Sequence, residues 1–297
     1  MTLAYTPSEA SGLLLIAEDR GFFAANGVKM IKQISNTGVD AMEALLKGEV
    51  DIAGMSEVPL ISQAFAKQPV SIYANFDKLQ YIYLIGRKDR GIETAIDLKG
   101  KRIGVPMGTI AQFYLGRFLE LNGLSLKDVT PIDTLPAAAV NAMSSGGLDG
   151  AVVWNPSAYQ IRKQMADSVT VFHVQSSQSA FAVAVARNNW LADHEQLIER
   201  SLKAIAQAEQ YSVEHPIEAR AIVQKQLNYD DTFMESVWSE NEFSLSLDQA
   251  LMAAMEDESR WMIANNLTPE KIIPDFGNYV YEDALKAVKP GAVNFIR

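Results

Sequence analysis

The stretch KRIGVPMGTIAQFYLGRFLELNG, Lys101–Gly123, decides the fold. Its first five residues, Lys101–Val105, read as a short strand, with the β-branched Ile103 and Val105 on alternate positions. Pro106-Met-Gly-Thr follows as a turn, and from Ile110 to Asn122 apolar residues recur at helical spacing until Gly123 closes the run. Val129–Asp133 reads as a strand again. Two strands joined by a helical crossover lie parallel, because a tight turn can only bring a strand back antiparallel. The stretch therefore predicts an α/β chain with a mainly parallel sheet.

The same alternation extends to both sides. Towards the N-terminus, Thr2–Tyr5 is strand-like, Ser11–Ala25 helical before Asn26-Gly27, Val28–Ile34 a strand, Val39–Lys47 a helix closed by Gly48, and Val50–Ala53 a strand leading into a helix over Glu57–Lys67. Towards the C-terminus, Ala137–Ser144 is a helix and Gly150–Val153 a strand. The two halves repeat an order: Phe22, Asn26 and Gly27 recur as Phe118, Asn122 and Gly123, and Gly48-Glu-Val-Asp51 recurs as Gly146-Gly-Leu-Asp149. Two similar α/β lobes are expected. Between them Ser71–Ala74 and Tyr81–Gly86 flank a turn-like Asn75-Phe76-Asp77-Lys78, and Phe181–Arg187 is a second extended crossing. After Asn188 only helices are expected: Trp190–Glu214, Pro216–Leu227, Asp231–Trp238 and Leu247–Asn265. The reading gives a first lobe of residues 1–86 plus 182–297, a second of 87–181, and hinges near 71–87 and 177–187.

Composition excludes several classes. Of 297 residues, 26 are Lys or Arg and 36 are Asp or Glu, a net charge of −10. A nucleic-acid partner is not expected, since neutralising phosphates needs a basic stripe. Apolar runs such as Leu13–Ala17 and Phe181–Ala186 fall far short of the ~20 residues of a membrane helix. The absence of cysteine removes disulfides, thiolate nucleophiles, iron–sulfur clusters and cysteine zinc sites, and suits an oxidising compartment. The start Met-Thr-Leu-Ala-Tyr-Thr-Pro has neither the basic nor the apolar region of a signal peptide, so it reads as a mature chain carrying an added Met, a native cytoplasmic start being the alternative.

Four segments together resemble a known family. Ser11-Gly-Leu-Leu-Leu-Ile-Ala-Glu-Asp-Arg-Gly-Phe-Phe with Asn26-Gly-Val, Gly48-Glu-Val-Asp-Ile-Ala-Gly, Leu98-Lys-Gly-Lys-Arg-Ile-Gly-Val-Pro-Met-Gly-Thr, and Asp149-Gly-Ala-Val-Val-Trp-Asn-Pro occur in the order found in solute-binding proteins of ABC importers, in the NMT1/THI5-like group of nitrate, aliphatic-sulfonate, taurine and thiamine-precursor binders. Asn155 stands where an acid is common in that group. The resemblance implies a two-lobed periplasmic-binding-protein (type II) clamshell, each lobe a mainly parallel sheet flanked by helices. It further implies a periplasmic or lipid-anchored monomer that closes on a small-molecule ligand and hands it to a membrane permease and its ATPase, with no cofactor.

The site can be placed from the residues as well. In open α/β sheets ligands bind beyond the carboxyl ends of the strands, where helix N-termini point. Those ends carry Ser8 and Glu9, Thr37 and Gly38, Ser56 and Glu57, Asn75 and Phe76, Gly108, Thr109 and Gln112, and Trp154 and Asn155. Each has a structural alternative. Ser8, Thr37, Ser56 and Thr109 precede helices, where a hydroxyl caps free N–H groups for about 1 kcal/mol. Gly38 and Gly108 serve either a turn or a ligand's approach to the backbone. Trp154 is a packing residue or a ligand wall, and Phe76 with Tyr73 suits hinge packing. Glu9, Glu57 and Asp77 either complement helix dipoles or accept from a ligand N–H, with Glu242 as a further wall. No Lys or Arg lies in the first-named loops, which favours a nitrogen heterocycle or amine over a sulfonate or nitrate.

Two other classes remain open. An enzyme of the same fold, making a pyrimidine or menaquinone precursor, would need other chemistry: the related pyrimidine synthase uses a cysteine-rich motif that this chain lacks, and His173, His194 and His215 show no metal-ligand spacing. A ligand-sensing domain of a membrane signalling protein would use the same clamshell.

Overall fold

A computed structural model describes residues 1–175 and 178–296. Ser177, the first residue of the second expected hinge, and Arg297, the last of the first expected lobe, lie outside the described residues. The chain divides into two compact units, Met1–Leu79 with Ala180–Arg297, and Gln80–Ser179.

The first unit opens with β1 (Thr2–Tyr5), α1 (Gly12–Asp19), α2 (Phe22–Ala25), β2 (Ile31–Ile34), α3 (Gly38–Lys47), β3 (Ile52–Ser56), α4 (Val58–Phe65) and β4 (Val70–Leu79). The second holds β5 (Ile82–Arg87), β6 (Arg102–Val105), α5 (Ile110–Leu121), β7 (Thr130–Asp133), α6 (Pro136–Ser145), β8 (Gly150–Trp154), α7 (Ser157–Met165) and β9 (Val169–His173). The chain then completes the first unit with β10 (Ala180–Arg187), α8 (Asn188–Asp193), α9 (Glu195–Glu214), α10 (Pro216–Leu227), α11 (Asp231–Trp238), β11 (Asn241–Ser246), α12 (Gln249–Ala264) and α13 (Asp283–Val288). None of the described helices is long and apolar enough to cross a membrane.

Both sheets are mixed. The first runs β11-β4-β10-β3-β1-β2, the second β7-β6-β8-β5-β9. In each, three strands with helical crossovers pair parallel, and the strands that enter or leave the unit pair antiparallel. Residues 82–86 of β5, expected in the first lobe, pair with β8 and β9 in the second unit.

The repeated motifs do the same work in each unit. Asn26 and Asn122 both donate their side-chain amide to the carbonyl four residues back, Phe22 and Phe118, at 2.8 Å, and Gly27 and Gly123 follow with positive φ. Asp51 accepts the backbone N–H of Thr2 at 2.7 Å, and Asp149 that of Arg102 at 2.9 Å, so the Gly-x-x-Asp segment ties the start of one strand to its parallel neighbour.

Three further expectations need correction. The single helix over Ser11–Ala25 is two, because Gly21 at φ +72° turns the backbone out of the helical region between α1 and α2. Asn75–Lys78 is not a turn. β4 runs straight through it, flanked by β10 on one side and β11 on the other, and the irregularity is absorbed as bulges that leave Tyr73 and Phe76 unmatched in the register with β10. At the start of the second unit Gln175 Oε1 accepts the N–H groups of Tyr81 (2.7 Å) and Ile82 (2.8 Å). The C-terminal part is not helical throughout: β11 adds an edge strand whose Phe243 and Leu245 alternate with polar residues. Lys289 fixes that strand, its ammonium lying 2.6 Å from Glu209 Oε2 and 3.2 Å from the Leu245 carbonyl, while the Leu245 N–H donates to Glu209 Oε1 at 3.0 Å.

Candidate functional site

In the first unit, strand register places the site. Ser56 at the carboxyl end of β3 pairs with Ala182, Ala182 with Asp77, and Asp77 with Phe243, one row across four strands. Cross-strand partners share a face. On that face Glu9, in the 3₁₀ turn Glu9–Ser11 after β1, lies within electrostatic reach of Asp77, and the Phe243 ring packs so closely on Gly12 that a Cβ there would stand 2.5 Å from it.

The acids at this end are buried. Glu9, Glu57 and Asp77 are all 0% exposed. Glu9 accepts the Tyr229 hydroxyl at 3.1 Å, and burial next to that carboxylate pushes the phenol's pKa upward. Glu57 Oε2 accepts the Phe181 N–H at 3.3 Å, and Glu57 also hydrogen-bonds Glu258 of α12, itself 0% exposed. Burial raises Glu57 to about 7, against the pull of its own and Phe181's backbone N–H and of Glu258. Glu258 is driven well above the usual carboxyl range by burial and then by the Glu57 charge, so the pair shares a proton with Glu258 as donor. Asp77 is also raised well above its ordinary value, first by burial and then by the charges of Glu9 and Glu242, opposed by the backbone N–H groups of Glu242 and Lys78.

The remaining first-unit candidates divide. Thr37 caps α3, its hydroxyl accepting from Asp40 N at 3.2 Å while Asp40 accepts from Thr37 N at 3.0 Å. Gly38 is required by packing, since a Cβ would lie 2.8 Å from that of Met55. Ser8 is buried with no capping bond, and Ser56 is half-buried. Asn75 donates to Ser244 O (3.3 Å) and Ser246 Oγ (3.2 Å), tying β4 to β11. Phe76 and Tyr73, the two bulged residues, line a small apolar cavity with Leu14, Phe23 and Leu202.

The second-unit candidates are neutral. Gly108, at φ +71°, donates its N–H to Gln112 Oε1 at 2.8 Å, and Met107 N donates to Asp133 Oδ1 at 3.1 Å. Thr109 occupies the N-cap of α5 without capping it: its hydroxyl donates to the Pro106 carbonyl at 2.7 Å. Trp154 and Asn155 close β8 at 7% and 1% exposure, just before α7. The loop after β6 thus offers backbone amides, a hydroxyl and a side-chain amide, and no charge of its own.

Sequence reasoning missed Tyr229, Glu258, Phe243 and Asp133. Glu258 had a signal: it sits on the stripe of Met255, Trp261 and Met262, all buried, where an acid is out of place. Among the described residues no group of three His, Cys, Asp or Glu side chains is placed to hold a metal ion.

The NMT1/THI5 like family model matches residues 10–219. A putative binding protein of Brucella abortus (strain 2308) is 27% identical over 237 residues, 76% of this chain and 70% of that protein. The taurine-binding periplasmic protein of Escherichia coli (strain K12) is 26% identical over 219 residues, 73% of this chain and 67% of that one. The solved structure of the alkanesulfonate-binding protein SsuA from Xanthomonas axonopodis pv. citri, bound to MOPS, superposes with a TM-score of 0.81 at 19% identity, covering 95% of this chain and 98% of that chain. At that identity the likeness is one of fold, two mixed α/β sheets flanked by helices.

Proposed function

The chain belongs to the NMT1/THI5-like family, and on that premise we propose that it is an extracytoplasmic solute-binding protein, a monomer that captures a small organic molecule and delivers it to the permease and ATPase of an ABC importer. The observation that carries this reading is the set of polar groups at the carboxyl ends of the strands. In the second unit Gly108, Thr109, Gln112 and Asn155 present amides and a hydroxyl beside Trp154, and α5 starts there without a side-chain cap. In the first unit Ser8, Glu9 and Ser56 lie at the corresponding ends, Asn75 lies within β4, and Thr37, Gly38, Glu57 and Phe76 hold the surrounding elements in place. Binding proteins for taurine and alkanesulfonates share this family or fold. The solute is a nitrogen compound or a sulfonate-like anion, the two chemistries that acids and helix N-termini accept.

A thermal-shift screen tests it. The purified chain is heated with aminopyrimidines, thiamine fragments, polyamines, sulfonates, nitrate and bicarbonate. A solute that binds only the folded state at 100 times its Kd adds about 2.7 kcal/mol and raises the midpoint in a concentration-dependent way. The bound compound should be recovered unchanged, and cells lacking the protein should lose its uptake. A panel that shifts nothing, or a compound that comes back chemically altered, counts against solute capture.

A further inference from the structure

The first-unit face built on Asp77 holds more hydrogen-bond acceptors than the fold uses. Asp77 is 0% exposed, and neither carboxyl oxygen completes a well-formed hydrogen bond, although the backbone N–H groups of Glu242 and Lys78 lie near enough to favour its charge. Asn75, paired with Val183 and so on the other face of the sheet, commits its amide N–H groups to β11 and takes no part in this deficit. Buried acceptors left incomplete are rare in folded proteins, because each has lost its water without gaining a donor. The neighbouring charges make matters worse, since Glu9 and Glu242 both repel a charged Asp77. Lys78, next along β4, is paired with Asp248 at 2.6 Å.

The groups around this deficit share a chemistry. Phe243 stands opposite Asp77 in the register, half-buried, with its ring against Gly12 and 5.1 Å from the half-buried ring of Trp238. Acids beside aromatic faces complement a positively charged nitrogen, whose N–H groups satisfy carboxylates while its charge rests on the ring. A metal ion is a poorer occupant, since no cluster of three ligating side chains forms among the described residues.

We propose that this face recognises a cationic nitrogen on the solute: the Asp77 carboxylate accepts its N–H groups, and the Phe243 ring lies along its charge. The inference rests on solute capture and narrows the solute to amines, zwitterionic amino acids and sulfonates, and protonated amino-heterocycles.

Matched compounds that differ by one amino group test it by calorimetry: taurine against ethanesulfonate, 4-aminobutan-1-ol against butan-1-ol, and 4-aminopyrimidine against pyrimidine. In at least one pair the amine should bind 100-fold or more tighter than its partner. Asp77→Asn should weaken that amine at least 30-fold while the solute-free melting point stays level or rises, and Phe243→Leu should weaken it about fivefold. Equal affinity within every pair that binds, or an amine held as tightly by Asp77→Asn as by the natural chain, overturns the inference and leaves solute capture standing. If no amine binds but a sulfonate or nitrate does, the inference again fails alone. Silence from all of these compounds removes both.

Discussion

The two strand-end regions occupy the same topological position and are built from opposite materials. In the second unit the loop Pro106–Thr109 and the end of β8 use backbone amides, a hydroxyl and Trp154, and the hydrogen bonds that shape the loop are made locally, within four residues or to Asp133. In the first unit the equivalent ends use carboxyl groups held in the interior by groups far along the chain, Tyr229 and Glu258. The difference teaches where stability and recognition coincide. Second-unit site residues also pack and bond the fold, so removing them costs stability. First-unit acids are buried against their preference, a cost that only a bound group or a shared proton relieves.

The largest expected effect comes from Trp154→Ala. Emptying a side chain that is 7% exposed should lower the unfolding free energy by about 3–5 kcal/mol, measured by denaturant titration. A loss under 1 kcal/mol would make Trp154 a surface platform and blur the contrast. Next is the pH profile. Glu57 is held near 7 in the folded chain against an ordinary 4.5, so the folded state keeps a proton that the unfolded chain releases. The resulting stabilisation is complete below about 4.5 and is lost as pH rises towards 7. Glu258→Gln keeps a hydrogen-bond donor to Glu57 without the shared proton, and should flatten the decline of melting point between these pH values. Thr109→Val in the second unit should leave the slope unchanged, and equal slopes in all three proteins would dissolve the pair. Gly108→Ala follows, at about 1–2 kcal/mol, because φ +71° is strained for any residue with a Cβ. Smallest is Asp77→Asn, expected to raise the solute-free midpoint by about 2–4 °C, as relief of ~1 kcal/mol does in a chain of this size. A fall would mean that Asp77 already has its partner within the fold.

What was legible in the sequence was local. The capping box Thr37/Asp40 and the closing Gly48 bound α3 within one residue of the expected helix, and Asn26-Gly27 and Asn122-Gly123 mark helix ends that the structure reproduces bond for bond. The carboxyl ends of β1, β3, β6 and β8 follow from the same punctuation, and with them Ser8, Ser56, Thr109 and Trp154. What escaped depends on partners distant in sequence. Asn75-Phe-Asp-Lys has the composition of a turn, and only β10 and β11, more than a hundred residues later, hold it extended. The row Ser56, Ala182, Asp77, Phe243 draws on four separate strands, which no window of sequence displays. Glu258 stood out of pattern but had no visible partner, because the partner is Glu57, two hundred residues before it.

The strand order of the first sheet has a consequence for how the chain is made. β3 and β4 are consecutive in sequence but not adjacent, since β10 lies between them, and the outer side of β4 is covered by β11. A ribosome that has released the first eighty residues has therefore produced β4 with neither of its neighbours. One edge waits about a hundred residues for Ala180–Arg187, the other until Asn241–Ser246. The parallel strands β6, β7 and β8, by contrast, all emerge between Arg102 and Trp154. During synthesis the most vulnerable segment is Val70–Leu79, whose apolar Val70, Ile72 and Leu79 are fully buried once it is paired. It is the stretch that a chaperone guarding unpaired strands would be expected to hold.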